Sequence, residues 1–480
     1  MLRVAVVQSP GVRLEQHRQT LAELLDLTRR AAGLGAKLVV LPECAFPAYW
    51  IRSRQEYVAA LDAGMASATQ FLEHMSACAR EQRIHVCTGY IDFDGLRLRN
   101  AAALIDDSGR IVGRYSKCFL WDFDNDWFEP GESIDAFETA LGRIGIMICA
   151  DARLPEIPAT LAARGAQLIV QPTAWVNGGQ PDRLWNPQPE FLIPARAREL
   201  GIPVASASKW GAEGGTTFVG MSRICDATGR VLATCASSRT EVVVADVELP
   251  PAGVCRMRDA ERAVLLSAAP PTLPSASAPA LPVAVAPAGA PLPAALLYEG
   301  ASTSAAVAAL LLQPTDVGWS ASFLDGDRAH LLAVRAAGVE PASFGDVAIG
   351  VLDAAAAARF APARVLALRG ANVLLVYGES DTTLLRARAA ENRVFVVGAR
   401  PDSLIALGPR GNVLAERPIA ECRWREPEIV IRLPLAEAAD KAFARGTDAF
   451  GGRTPHLYQF QSTPPTRDAP TAPAPADPQP

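Results

Sequence analysis

Two parts of this 480-residue chain repeat each other in the same order, and the spacing between the first two landmarks is the same in both. Each part has an apolar run followed, after the same interval, by an Arg-Gly-Ala turn, then by an Arg-Ala-x-Glu segment and a Gly-x-Val-Leu-Ala strand. The matched segments are 145–148 with 350–353, 164–166 with 369–371, 196–199 with 388–391, and 229–233 with 411–415. Preserved order and spacing predict an internal duplication, so the chain is expected to build two related units.

The two copies differ where reactive side chains are concerned. Aligning the Arg-Gly-Ala turns places Ala354 opposite Cys149 and Ala361 opposite Glu156. The alternative explanation is that any two alanine-rich α/β segments resemble each other, but the preserved spacing argues against it. The second copy is therefore predicted to have lost the chemistry that Cys149 performs.

Length and composition predict two folded domains. The chain is half apolar and one fifth charged, too long for one ordinary core and too apolar for wholesale disorder. Pro/Ala-rich stretches separate the parts that can fold. The predicted organisation is a catalytic domain at 1–262, an Ala/Pro-rich linker at 263–295, a degenerate second domain at 296–462 and a disordered Pro-rich tail at 463–480.

Several classes of partner are disfavoured by the sequence. A net charge of −5 and a pI near 5.7 offer no basic face for nucleic acid. The uncharged stretch 264–298 is long enough to span a membrane, but its prolines forbid a continuous helix, so it is interpreted as an extended spacer.

The cellular compartment is predicted from the N-terminal residues and from the spacing of the cysteines. Residues 1–8 are typical of a buried strand and lack the features of a signal peptide. The nine cysteines form no CxxC pair, which favours reduced thiols and a cytoplasmic location.

Hydrophobic periodicity predicts alternating strands and helices in the first domain, and hence an α/β fold. A long helix is expected after Pro10. The other predicted helices are 66–80, 155–164 and 196–200, and the predicted strands are 4–8, 38–41, 85–91, 101–105, 143–149, 167–171 and 202–207.

Three residues have the properties needed to hydrolyse an unactivated amide: Glu43, Lys117 and Cys149. This reaction needs a nucleophile, a base and a cation for the developing oxyanion. Each of the three lies at or just after the end of a predicted strand, and Cys149 also precedes a helix, an arrangement that exposes a nucleophile. Taken singly, a cysteine is usually structural and a lysine after a turn is usually a surface charge. Together they indicate a catalytic site.

The chain resembles nitrilase-superfamily carbon-nitrogen hydrolases over residues 2–250. The resemblance rests on short motifs that occur in the family's order. They are the first strand ending at Gln8, Leu-Pro-Glu at 41–43, Arg-Asn at 99–100, Gly-Arg-Tyr-Ser-Lys at 113–117, Phe-Glu-Pro-Gly at 128–131, Cys-Ala-Asp-Ala-Arg-Leu-Pro-Glu at 149–156 and Ala-Arg-Ala-Arg-Glu at 195–199.

That resemblance implies the roles of the three residues and the fold. Glu43 is the general base, Lys117 binds the oxyanion and Cys149 attacks the substrate. A four-layer α-β-β-α sandwich is implied, followed here by a truncated α/β repeat, with no metal and no organic cofactor. Because subunits of the superfamily pair through helices, the second copy is expected to form an in-chain pseudo-dimer, and a homo-oligomer is possible.

Other residues are candidates for substrate binding. Asp124 occupies the place of a second glutamate of the family, although two neighbouring aspartates compete for the assignment. Phe128 and Trp175 lie on loops after motif strands and are candidates for an apolar pocket wall. Asp151 and Arg153 follow the nucleophile and are interpreted as structural.

The sequence leaves the reaction partly open. The predicted substrate is a small linear amide or an N-carbamoyl amine, because Ala150 departs from the Trp-Glu that nitrilases typically carry after the cysteine. A true nitrilase is the alternative within the enzyme class. Transfer of the acyl group to another amine would use the same residues. A catalytically silent binding protein is the alternative outside that class.

Overall fold

The computed structural model describes residues 1–179, 183–251, 256–285, 309–315, 318–325, 328–332, 340–418 and 428–462. The predicted tail at 463–480 and the predicted linker from residue 286 to 295 lie outside the described residues. Within the described ranges, no helix combines the length and the apolar character needed to cross a membrane.

The first part of the chain alternates strands and helices, as the periodicity predicts. Its helices are α1 (His17–Gly33), α2 (Arg54–Asp62), α3 (Ala68–Gln82), α4 (Asp124–Trp127), α5 (Glu156–Ala163), α6 (Ile193–Leu200) and α7 (Asp259–Leu265). Its strands are β1 (Leu2–Pro10), β2 (Leu38–Val40), β3 (His85–Phe93), β4 (Leu98–Ile105), β5 (Ile111–Ser116), β6 (Ala136–Thr139), β7 (Gly142–Ile146), β8 (Leu168–Pro172), β9 (Val204–Ala207), β10 (Lys209–Glu213), β11 (Thr216–Val219), β12 (Arg223–Cys225), β13 (Val231–Thr234), β14 (Glu241–Val247) and β15 (Arg256–Met257).

Local sequence signals set the ends of these elements. Helix α3 begins after Ser67, whose hydroxyl accepts from the Gln70 N–H (3.2 Å), while the Gln70 side chain accepts from the Ser67 N–H (2.9 Å). This reciprocal capping contributes about 1 kcal/mol to helix stability. The helix ends at Gln82, and Arg83, which follows it, adopts the left-handed conformation. The observed helix thus starts and ends two residues later than the predicted 66–80.

Two sheets are formed by these strands. The first has the order β11-β10-β1-β2-β3-β4-β5, with β14 antiparallel to β1, and the second has the order β13-β12-β9-β8-β7-β6. Val4 in β1 and Ile146 in β7 belong to one apolar cluster, which fills the space between the two sheets. Ala5 belongs to another cluster with Leu24 of α1 on the opposite face. Because both faces of β1 are covered, its sequence is a nearly continuous apolar run.

The second part of the chain contains two larger sheets and one two-stranded sheet. Its helices are α8 (Ala354–Ala357), α9 (Phe360–Leu368) and α10 (Thr382–Asn392). Its strands are β16 (Ala280–Val285), β17 (Ala309–Thr315), β18 (Gly318–Asp325), β19 (Arg328–Leu332), β20 (Ala342–Phe344), β21 (Val347–Asp353), β22 (Val373–Tyr377), β23 (Phe395–Ala399), β24 (Ser403–Leu407), β25 (Val413–Pro418), β26 (Glu428–Pro434), β27 (Ala442–Ala444), β28 (Thr447–Asp448) and β29 (Gln461–Ser462). One sheet has the order β19-β18-β17-β16-β26 and the other the order β20-β21-β22-β23-β24-β25.

Strand β16 lies inside the stretch that the sequence predicts as a linker. Val283 and Val285 are fully buried, and the strand pairs with β17 on one side and β26 on the other. Pro282 is compatible with the sheet because pairing with β17 begins only at Val283, where Leu310 is its partner. Part of the 263–295 stretch therefore belongs to the second half's sheet.

The two halves pack against each other through helices, at a surface that we call the junction. Phe191 and Ala195 of the first half share an apolar cluster with Leu384 and Ala387 of α10. Strand β15 also pairs with β29, so the chain's last described strand returns to the first half.

Buried ion pairs cross the junction. Arg196 contacts Glu199 at 2.6 Å and Glu391 at 2.7 Å, and Arg388 contacts the same two carboxylates. All four side chains are at most 1% exposed. Buried charges are tolerated only when they are paired. These two arginines and two glutamates therefore require both halves to be in place.

Candidate active site

Cys149 lies on a tight turn and not at the end of an extended strand. The sequence predicts a strand to residue 149, but β7 ends at Ile146 and a single 3-10 turn covers Cys149–Arg153. The backbone of Cys149 has a φ of 45°, a left-handed conformation that is rare for a residue with a side chain. The Asp151 carboxylate accepts a hydrogen bond from the Ile148 N–H (2.8 Å) and helps to hold the turn. Strained backbone of this kind is typical of functional sites.

Hydrogen bonds and one glycine bring Glu43 close to the strand ends of the second sheet. The Glu43 N–H donates to the Thr173 carbonyl (3.3 Å), and the Gln171 side chain donates to the Cys149 carbonyl (3.0 Å). Gly89 in β3 permits this approach, since an added Cβ would lie 2.8 Å from the Glu43 Cα. The packing of the two sheets thus brings the segments that carry Glu43 and Cys149 together.

Lys117 is the centre of a buried ionic cluster. Its Nζ lies 2.6 Å from Glu43 Oε1 and 2.6 Å from Asp124 Oδ2, and all three side chains are fully buried. Although burial alone would lower the pKa of Lys117, the carboxylates of Asp124 and Glu43 raise it well above its usual value. Lys117 is therefore a permanent cation at neutral pH.

Two further side chains orient the carboxylates. The Tyr49 hydroxyl donates to Asp124 Oδ1 (2.8 Å), and the Asn100 amide donates to Glu43 Oε1 (2.7 Å). Burial, together with the Asp124 carboxylate, raises the pKa of Tyr49 well above its usual value, so its hydroxyl remains a donor. In the sequence Asn100 is recognised only as part of the Arg-Asn motif, and its contact with Glu43 comes from the pairing of β3 with β4.

The Cys149 thiol is protonated at neutral pH in the resting structure. Burial and the Glu43 carboxylate raise its pKa to about 12, while Lys117 and a hydrogen bond from the Ala174 N–H lower it. The thiolate is the nucleophilic form, so a base is needed. Among the described residues, the second carboxylate oxygen of Glu43, Oε2, has no hydrogen-bond partner. That oxygen is free to accept a proton.

Asp151 and Arg153 occupy the positions of structural groups. Asp151 accepts hydrogen bonds from the Tyr115 hydroxyl (2.7 Å) and the Phe119 N–H (2.8 Å). Burial raises the pKa of Asp151 to about 6, although these donors oppose the shift. The Arg153 guanidinium lies over the Trp121 ring, 4.6 Å from its centroid. No ion pair of Arg153 with a carboxylate is formed within the described part of the chain.

The two aromatic candidates lie in different apolar clusters. Trp175 is fully buried in the cluster that contains Cys149, and its indole N–H has no partner among the described residues. Phe128 is buried in the cluster that contains Tyr49 and Phe123. Trp175 thus shares the apolar cluster of Cys149, whereas Phe128 packs on the Asp124 side of the site.

Sequence reasoning missed a second buried ion pair near the site. Lys209 Nζ lies 3.0 Å from Glu213 Oε2, and both side chains are 1% exposed. Glu213 Oε1 also accepts from the N–H groups of Tyr49 and Trp50. The pair therefore holds the segment that carries the Tyr49 hydroxyl. A lysine and a glutamate four residues apart in a strand give no sequence signal of this role.

Comparisons with known proteins concern the first half of the chain. The family model described as "Carbon-nitrogen hydrolase" matches residues 3–257. A nitrilase of Pyrococcus abyssi is 31% identical over 252 residues, which cover 52% of this chain and 90% of the relative. An omega-amidase of Danio rerio is 31% identical over 258 residues, covering 52% and 88% respectively. The solved structure of an amidase from Nesterenkonia sp. has 27% identity and a TM-score of 0.45, covering 52% of this chain and 91% of its own.

Proposed function

Because this chain belongs to the carbon-nitrogen hydrolase family, we propose that it cleaves the C–N bond of a small linear amide or N-carbamoyl amine through a thioester on Cys149. The family predicted from the motifs is confirmed, and the chain is an amidohydrolase of the nitrilase superfamily. One observation supports the proposed thioester mechanism. A buried lysine contacts two carboxylates, and one of these, on Glu43, keeps an unpaired oxygen and raises the pKa of a cysteine on a strained turn.

The first half of the reaction forms the acyl-enzyme. Glu43 takes the proton of the Cys149 thiol, and the thiolate adds to the substrate carbonyl carbon. Lys117 and backbone N–H groups of the turn stabilise the tetrahedral oxyanion. When the C–N bond breaks, protonated Glu43 returns its proton to the leaving nitrogen, and ammonia or an amine departs.

The second half of the reaction hydrolyses the thioester. Glu43 is again a carboxylate and removes a proton from an incoming water, which attacks the acyl carbon. A second tetrahedral oxyanion forms at the same place, and its collapse expels the Cys149 thiolate. The thiolate recovers its proton from Glu43, and the carboxylic or carbamic acid leaves. A second amine in place of water would give acyl transfer by the same steps.

Asp124 is proposed to act through Lys117. Its carboxylate accepts from Lys117 and from Tyr49, so it fixes the direction of the ammonium group and leaves the Glu43 oxygen free for proton transfer. Trp175, in the cluster with Cys149, is proposed to contact the substrate's apolar part. Phe128 is proposed to form part of the pocket wall farther from Cys149, on the side of Asp124.

A matched substrate series tests this proposal. Small amides, N-carbamoyl amines and nitriles with the same side chain are compared by ammonia release, with Cys149→Ala as the blank. We expect a higher kcat/KM for the amide or carbamoyl amine in each set, and an acyl adduct on wild-type protein by intact mass. The relative named a nitrilase supports the alternative. A consistently higher kcat/KM for nitriles would establish that alternative.

Labelling separates an enzyme from a catalytically silent binding protein. The seven cysteines of the described residues are free and buried, so burial alone does not distinguish Cys149 from the others. Selective reaction of Cys149 with a small electrophile, together with loss of that selectivity in Glu43→Gln, is expected for the enzyme. Equal, slow labelling of all the thiols would support the binding protein.

We also propose that the first half is the family's four-layer α-β-β-α sandwich and that the second half is its degenerate copy. The sheet β20-β21-β22-β23-β24-β25 has the same succession of antiparallel and parallel pairings as β6-β7-β8-β9-β12-β13. Helices α9 and α10 contact the first half at the junction. The second half is then an in-chain partner of the first.

A further inference from the structure

The loop that carries Asp124 is covered by a segment from the far end of the chain. We call residues 119–127 the Asp124 loop and residues 441–453 the C-terminal segment. The Thr447 hydroxyl accepts a hydrogen bond from the Asp122 N–H (2.7 Å) and donates to the Leu120 carbonyl (3.1 Å). Thr447 is 1% exposed. One buried hydroxyl thus satisfies two backbone groups of the loop.

An arginine adds ionic contacts at the surface. Arg445 lies 2.6 Å from Asp126 and 3.2 Å from Asp122. The arginine side chain is 62% exposed, so these pairs are screened by water and each contributes little. The buried hydroxyl of Thr447 is therefore the stronger link between the two segments.

Aromatic contacts extend this link to the turn of Cys149. The Arg153 guanidinium lies between the Trp121 ring (4.6 Å to its centroid) and the Phe443 ring (5.2 Å). The Phe443 ring also meets Phe119 edge to face at 6.2 Å. Arg153 is on the same 3-10 turn as Cys149. The C-terminal segment consequently touches both the Asp124 loop and the nucleophile's turn.

The geometry of Asp124 depends on the residues that Thr447 holds. The Trp121 N–H donates to Asp124 Oδ2 (2.9 Å), the oxygen that contacts Lys117, and the Asp124 N–H donates to the Trp121 carbonyl (2.6 Å). Asp122 has a φ of 34°, a strained value that persists only when the surroundings impose it. A shift of residues 120–122 would move the carboxylate that directs Lys117.

We propose that Thr447, assisted by Phe443 and Arg445, is a positioning residue through which the second half of the chain sets the geometry of Lys117. This inference rests on the proposed function, because it assumes that Lys117 acts on Cys149 and on the oxyanion. It adds that the second half contributes to catalysis by positioning Asp124 and, through it, Lys117, in addition to covering an apolar surface. Because the placement of Asp124 depends on the Thr447 hydroxyl, removal of that hydroxyl should change the catalytic rate.

The test compares full-length Thr447→Val with Thr447→Ser, which restores the hydroxyl. Thr28→Val is the matched control, because Thr28 is also buried and donates to a carbonyl (2.8 Å to Leu24 O) but lies on α1. We expect Thr447→Val to lower kcat by about 10- to 100-fold with little change in KM, as misplaced catalytic groups do. Thr447→Ser should recover kcat to within about 3-fold, and Thr28→Val should keep it.

A second measurement does not depend on finding the substrate. Lys117 lowers the pKa of Cys149, so a displaced ammonium should slow alkylation of Cys149 by iodoacetamide at neutral pH and move its pH profile upward. Intact mass and peptide mapping give this rate for each variant. If the wild-type protein cleaves no amide, carbamoyl amine or nitrile, the proposed function fails, and the alkylation rates still decide the positioning role.

The outcomes are exclusive. Slower alkylation in Thr447→Val with rescue by Thr447→Ser supports the inference. Wild-type alkylation and kcat in a folded Thr447→Val would overturn it. If circular dichroism shows that Thr447→Val is unfolded, Phe443→Leu replaces it. That variant loses the aromatic ring that contacts the Arg153 guanidinium but keeps an apolar side chain. Wild-type rates in folded Phe443→Leu would then overturn the proposal.

Discussion

The two halves of this molecule share a sheet pattern but differ in the part that carries the chemistry. In the first half, β1 pairs with β2 and β2 with β3, all parallel, and Glu43 follows β2. In the second half, β16 pairs directly with β17, which is antiparallel to β18 as β3 is to β4. The described part of that sheet therefore has no counterpart of β2. Among the described residues, the strand without a counterpart in the second half is thus the one that positions Glu43, the proposed general base.

The proposed nucleophile and its proposed counterpart differ in backbone as well as in side chain. Cys149 has a left-handed φ of 45° on a 3-10 turn. Its counterpart Ala354 begins helix α8, which Asp353 caps by accepting from the Ala356 N–H (2.6 Å). Strain of this kind is retained only where the surroundings enforce it and function needs it. The relaxed, capped helix at this position fits the proposal that the second half is a degenerate copy without the nucleophile.

At the junction, some contacts of the first half have an equivalent in the second half. Arg196 Nε donates to the Ala152 carbonyl (3.0 Å), and Arg388 Nε donates to the Ala357 carbonyl (3.1 Å). Glu156 breaks the symmetry, because Ala361 stands at the corresponding position. Among the described residues, the ion-pair partners of the Glu156 carboxylate are Arg364 and Arg453, both in the second half. This link has no equivalent in the other direction, so mutation can test it.

Removal of the nucleophile should have the largest effect. Cys149→Ala is expected to lower turnover by about 10⁴-fold or more, because the groups of such a site act as a unit. Adding Ala354→Cys should not restore activity, since a thiol at that place lacks the partners that Glu43 and Lys117 provide. Ammonia release and intact-mass detection of the acyl adduct give both results. Turnover in the double variant above that of Cys149→Ala would mean that the second half retains a site.

Removal of the second half should be the next largest change. A chain that ends at residue 266 exposes the apolar junction face of α5 and α6 and removes the partners of buried charges such as Glu156. We expect aggregation or new self-association, measured by light scattering coupled to gel filtration against the full chain. A truncated chain that stays monomeric and equally heat-stable would contradict the in-chain partner role.

Breaking one ion pair of the junction should have an intermediate effect. Arg364 Nε lies 2.8 Å from Glu156 Oε1, and both side chains are fully buried. Arg364→Met should lower the free energy of unfolding by about 3 kcal/mol, because it leaves a buried carboxylate short of a partner. The double variant with Glu156→Gln should lose less than the sum of the two single losses. Chemical denaturation gives these values, and exposed Arg417→Met is the control.

Additive losses in that cycle would show that the pair is not coupled. The neighbouring Arg453, whose Nε is 3.2 Å from the same carboxylate oxygen, limits the effect of Arg364→Met. A much smaller loss in Arg364→Met than in Arg453→Met would assign the main pairing to Arg453.

The pH dependence of stability should show the smallest effect. Burial raises the pKa of Glu156, but Arg364 and Arg453 outweigh it, and the net pKa is below the usual 4.5. A depressed pKa means that this group adds stability above about pH 4.5 and loses it as the pH falls through the lower, folded-state pKa. Melting temperatures from pH 6 to pH 3 should therefore fall more steeply for wild-type protein than for Glu156→Gln. Parallel curves would refute the ionic role.

Much of the fold and the central residues of the site could be predicted from local patterns. Helical spacing of apolar residues predicted α3 to within two residues at each end, because such a pattern needs only one buried face. The predicted strand 143–149 extends three residues too far, because a run of apolar residues does not reveal where a left-handed turn begins. The placement of Glu43, Lys117 and Cys149 near strand ends was predicted because each lies in a short motif.

By itself, the sequence determined which side chains are available for chemistry and in what order strands and helices follow, since both depend on residue types and on periodicities within a few turns. Only the tertiary structure decided that Asn100 orients Glu43, that Glu213 holds the Tyr49 segment and that Thr447 holds the Asp124 loop. Asp122 and Thr447 are 325 positions apart. Such contacts arise when separate elements pack to exclude water and must pair the polar groups that they bury, and no local pattern encodes that pairing.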